Sequence, residues 1–173
     1  GQKLLKSFVL KTKSASEVFD LDKLARFYAI SEISKASHGF IFHNIRYYYN
    51  SKSDKIEPIS YDNYNDKGEV AHYHPVNIHD QVEDIEYGLN DKMADWMLKS
   101  ALKDSVFLRK YTSYLEVYSR TEYMQKLLSS KENQLKKLEL LIQKEFDEYS
   151  YNWDFLVQSA STVSEWKHKM TKE

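Results

Sequence analysis

Two hydrophobic periods run along this chain, one of two residues and one near 3.6. They divide it into a helical opening, a short β segment and a long helical remainder. Lys3 to Lys13 alternates only loosely, with Leu4-Leu5 and Phe8-Val9-Leu10, and fits a short helix or a strand equally well. Ser14 to Ser37 predicts a helix. Leu21, Leu24, Tyr28 and Ile33, with Ala25, Phe27, Ala29 and Ile30, make an apolar stripe too wide for a surface helix. Asp20 suits an N-cap, Asp22 suits the first turn, and the glycine of Ser37-His38-Gly39 is the expected terminator. Ile45-Arg46-Tyr47-Tyr48-Tyr49-Asn50 and Lys55-Ile56-Glu57-Pro58-Ile59-Ser60-Tyr61 read as hairpin strands around a turn at Ser51-Lys52-Ser53-Asp54. Pro58 has no N–H to give, so its nitrogen should point away from the ladder.

A polar connection from Tyr64 to Asp84 follows, long enough to be functional or mobile. Beyond it the period is helical. Asn90-Asp91 can cap a helix over Met93, Trp96, Met97 and Leu102. Asp104 can cap the next, with Phe107, Leu108, Tyr111, Tyr114, Leu115 and Tyr118 at helical spacing. Thr121 opens a long amphipathic helix through Phe146 whose charged stretch, Lys131 to Lys137, should be solvated. A last helix starts after Trp153-Asp154-Phe155 and runs toward Trp166. The expected class is α+β, mostly α-helical, with one small hairpin, in a single domain over residues 1–173.

Composition narrows the function. A net charge of -1 gives no electrostatic case for nucleic-acid binding. With no cysteine, thiolate nucleophiles, disulfides and Cys-ligated zinc are excluded. No apolar run reaches the roughly 20 residues of a membrane-spanning helix. Four glycines and no glycine-rich phosphate loop argue against a P-loop or dinucleotide fold. The 14 tyrosines suit amphipathic packing, or a surface that binds a partner. Gly1 in place of a methionine suggests a trimmed tag or a piece of a longer protein.

Three polar groupings carry candidate chemistry. Asn44 and Asp62 flank the hairpin, and both offer oxygen to a hard cation such as Mg²⁺ or Mn²⁺. Protein kinases use the same order of loop asparagine, hairpin and aspartate to hold metal. The plainer alternative is that Asn44 satisfies loop backbone groups and Asp62 opens a turn with Asn63. His38 and His43 precede the hairpin, where a histidine can act as a base, position a phosphate or simply hydrogen-bond to backbone. His72 and His74 share a face of an extended segment and, with His79, sketch a weak zinc pattern within a loop.

Phe19-Asp20-Leu21-Asp22-Lys23-Leu24-Ala25-Arg26-Phe27-Tyr28-Ala29, His38-Gly39, His43-Asn44-Ile45-Arg46-Tyr47-Tyr48-Tyr49-Asn50 and Ile56-Glu57-Pro58-Ile59-Ser60-Tyr61-Asp62 together resemble the spore-coat CotH kinase family, most of all its Bacteroidetes-type members. Asp104 to Tyr111 and Trp153-Asp154-Phe155 resemble its helical tail, so the likeness runs over roughly residues 15–160. It implies an atypical protein kinase that uses ATP with Mg²⁺ or Mn²⁺ to phosphorylate serine in secreted or cell-envelope proteins of bacteria. Asn44 and Asp62 match the family's metal-binding positions. The family's loop aspartate falls at Gly39, one residue after His38, so His38 is the expected stand-in for the base or positioning role. The ATP-gripping part would lie upstream of this chain. The chain is then expected to be a kinase C-lobe-like domain, inactive alone, that engages a protein substrate. The alternative is a pseudokinase-like module that binds a surface partner without catalysis.

Overall fold

The structure, a computed structural model, describes residues 1–36, 39, 44–63 and 97–170, with 166–170 by backbone alone. Among them the chain is mostly helical with one two-stranded antiparallel sheet, as the patterning predicts. It divides into two compact units, Gly1–Tyr114 and Leu115–Glu173.

The first unit opens with α1 (Gln2–Val9) and α2 (Ala15–Val18), followed by α3 (Leu21–Ile33). The predicted single helix from Ser14 to Ser37 is therefore two helices, both shorter. The break lies at Phe19, which forms a parallel bridge with Ile56, while the Asp20 amide donates to the Ile56 carbonyl at 2.9 Å. Asp20 then caps α3 as expected, accepting from the Asp22 and Lys23 amides. At the other end α3 stops well before Gly39. Lys35 takes a left-handed conformation (φ 49°), its amide donates to the Glu32 carbonyl and the Ala36 amide to the Ser31 carbonyl. This closes a Schellman turn with lysine where glycine is usual. The loosely patterned opening segment, α1, ends the same way at Lys11 (φ 57°).

The hairpin joins β1 (Arg46–Asn50) to β2 (Lys55–Ile59), with Tyr49 opposite Ile56 and Tyr47 opposite Pro58. Because the Ile56 carbonyl turns outward to Asp20, the Tyr49–Ile56 pair is one of the non-hydrogen-bonded ones. Pro58, two residues on, shares that orientation, so its nitrogen does point away from the ladder. The turn is set by Asp54 (φ 54°), which receives the Tyr49 hydroxyl at 2.8 Å, and by Asn50, whose Oδ1 accepts from the Lys52 amide.

One hairpin face joins the core. Phe19 contacts both Phe8 and Tyr47. Tyr28 packs edge-on to Phe107, which stacks on Tyr111. These last two belong to α5 (Ser105–Tyr118), which follows the helical residues 97–102 (α4). Asp104 caps α5 through the Val106 and Phe107 amides and also accepts from the Ser16 amide, tying α2 to α5. On α3, Asp22 gathers Tyr114, Lys110 and Arg26.

In the second unit α6 (Thr121–Ile142) packs on α7 (Asp154–Met170), and Met124, Ala160 and Val163 are buried. The connection folds back on α6: Gln143 donates to the Tyr149 carbonyl, and the Tyr151 amide to Glu139. The charged stretch of α6 is exposed, as expected. No helix among the described residues is long and apolar enough to cross a membrane.

Candidate functional site

The polar residues of interest flank the open end of the hairpin. Arg46 and Ile59 form its last pair, with Asn44 two residues before Arg46 and Asp62 three after Ile59. From that pair the Arg46 guanidinium reaches to 4.8 Å from the centre of the Tyr61 ring. Asn44 is almost wholly buried, at 4% exposure. Asp62 is exposed and takes a left-handed backbone (φ 52°), which is uncommon for a residue with a side chain. Such conformations concentrate where geometry serves function.

Behind this end stands the tyrosine-lined body of the unit. The Tyr28 and Tyr47 hydroxyls hydrogen-bond to one another, and burial pushes both well above the ordinary phenol range. On the outer face of the hairpin, Glu57 pairs with Lys23 at 2.6 Å and accepts from Asn50 at 2.8 Å. These contacts hold Glu57 below and Lys23 above their usual values, the Lys23–Glu57 bond being the main cause of each shift. Arg46, Tyr48, Ile59 and Tyr61 leave the rest of that face exposed.

One polar group is added that sequence reasoning passed over. Glu32, in the last turn of α3, is buried at 4% exposure and receives the Tyr111 hydroxyl at 2.5 Å. Burial first, then the neighbouring carboxylate, drives the Tyr111 phenol well above its usual range, which keeps it a donor. The signal was present, because Glu32 follows Tyr28 by four residues on the apolar stripe.

The structure also brings Gly39 against Asn63, next to Asp62. The loop position that lacks a carboxylate is thus joined to the exit of β2. His38 and His43 lie outside the described residues, as do His72, His74 and His79. Among the described residues no group of three or more His, Asp or Glu could hold a metal ion. Asn44 and Asp62 each carry side-chain oxygen, the donor type that a hard cation takes. Magnesium commonly takes one or two protein oxygens and completes its shell with water and phosphate. A separate cleft of about 420 Å³, lined by Phe8, Lys11, Lys13, Glu17, Lys103 and Asp104 among others, includes neither residue. No family model, curated protein or solved structure matches the chain.

Proposed function

We propose that this chain is the C-terminal lobe of a CotH-like phosphotransferase. The observation that carries the reading is that a buried Asn44 precedes β1 and a left-handed Asp62 follows β2, so that the two flank one open hairpin end. In this reading both residues supply oxygen to Mg²⁺ or Mn²⁺. The metal, when bound with ATP, neutralises charge on the phosphates. Asn44 is buried and Asp62 has a left-handed backbone, and in this reading each presents its oxygen at the hairpin's open end. Positioning and charge stabilisation dominate phosphoryl transfer, so a loop without a carboxylate is compatible with it. His38 would orient the acceptor hydroxyl, expected from the resemblance to be a serine of a secreted or cell-envelope protein.

The test is transfer of labelled γ-phosphate by the full-length protein with Mg²⁺ or Mn²⁺. Asp62→Ala is expected to abolish transfer, and His38→Ala to reduce it. If wild-type protein neither transfers phosphate nor binds ATP with metal, the proposal fails.

A second reading rests on the exposed Tyr48, Ile59 and Tyr61 of the hairpin's outer face. Here the same lobe holds a surface partner without catalysis. Asp62→Ala separates the two, since it would leave such binding intact.

A further inference from the structure

Gly39 is buried, and the space a side chain would need there is already taken. A Cβ built on it would overlap the Asn63 carboxamide, meeting Oδ1 and Cγ, with Nδ2 at 3.3 Å. The Asn63 Nδ2 donates to Ser60 Oγ at 3.0 Å, while its Oδ1 is sealed from solvent with no donor. An unpaired buried acceptor costs about 1–3 kcal/mol. Asp62, the residue before it, has φ 52°. Left-handed backbone carries its own penalty in residues with a Cβ. Two costs at consecutive residues persist only where the surroundings over-determine them.

We infer that Asn63 is a positioning residue: its carboxamide fills the space left by the missing side chain of Gly39, and this wedge holds Asp62 in its left-handed conformation at the open end of the hairpin. The wedge also gives position 39 a physical reason to be glycine. Any larger residue, a family-type aspartate included, would have to expel Asn63. The metal-binding consequence rests on the proposed function, whereas the wedge itself does not.

The test uses the full-length protein and Mn²⁺ alone, titrated by electron paramagnetic resonance of the free ion. Asn63→Ala is expected to weaken Mn²⁺ binding about tenfold, the scale seen when residues that orient a metal ligand are lost. Gly39→Ala should weaken it similarly by displacing the carboxamide. The double variant should be no worse than Asn63→Ala, because the space is then vacant. Asn63→Ala with wild-type affinity, where Asp62→Ala has lost binding, would overturn the inference. If Asp62→Ala binds Mn²⁺ as well as wild type does, the metal reading falls, and thermal melting decides the wedge. Gly39→Ala should lower the melting temperature in wild type and have little effect in Asn63→Ala, whereas additive losses overturn it. If Gly39→Ala does not fold, the double variant is expected to fold, and failure of both overturns it.

Discussion

A carboxylate seated inside a helical face needs a donor, and Glu32 shows how this fold supplies one. The Tyr111 hydroxyl reaches it across 79 positions of sequence. Tyr111→Phe keeps the ring stack with Phe107 but removes that donor. It is expected to cost about 1–3 kcal/mol, read as a lower urea midpoint at unchanged m-value. The burial of Glu32 was legible from its place on the stripe, but its partner was not, because no local rule links residues so far apart. Asp20 and Asp104 were legible as caps because a cap bonds to amides two and three residues ahead. Asn44 and Asp62 were legible as a pair flanking the hairpin. The seating of Asn63 at Gly39 was not, since it joins a loop to a strand exit by shape rather than by residue type.

Helix ends explain the largest departures from the pattern. Lys11 and Lys35 occupy left-handed positions that a sequence reading reserves for glycine or asparagine, so the ends of α1 and α3 carried no local signal. Lys11→Gly removes the Cβ penalty of that conformation. It is expected to raise stability by up to about 1 kcal/mol, with a higher melting temperature. The break between α2 and α3 was hidden for another reason: Phe19 suits a helix stripe, and only its bridge to Ile56 takes it out of one. The strands were easier to see, being rich in tyrosine and isoleucine and closed by a polar turn. Asp104→Ala tests how elements are fastened, since it removes the cap of α5 together with the tie to the Ser16 amide. It is expected to cost about 1–2 kcal/mol in denaturant unfolding, at the upper end of the range for a lost cap.

Across the whole molecule, ionisable groups bound the pH range in which the fold is stable. Asp22 is held below the usual carboxylate value chiefly by the Tyr114 hydroxyl, and Glu57 chiefly by Lys23. For Asp104 burial pulls upward but is outweighed by bonds from Ser16, Phe107 and Val106. A lowered folded value means stability that is complete above the unfolded pKa and lost as pH falls through the folded one. The melting temperature should therefore drop below about pH 4. Tyr28, Tyr47 and Tyr111 are raised, which gives the opposite sign: their contribution is complete below about pH 10 and lost above it. Ultraviolet titration of the phenols is expected to show a group of tyrosines that ionises only as the protein unfolds. The edge of the small sheet is a further whole-molecule feature, since an open edge can pair with another chain. The outer edge of β2 is occupied at Ile56 by Asp20 and carries no amide hydrogen at Pro58. An extended peptide therefore finds no free backbone pair there for β-augmentation, and any partner at this edge would have to be selected by side-chain chemistry instead of backbone pairing.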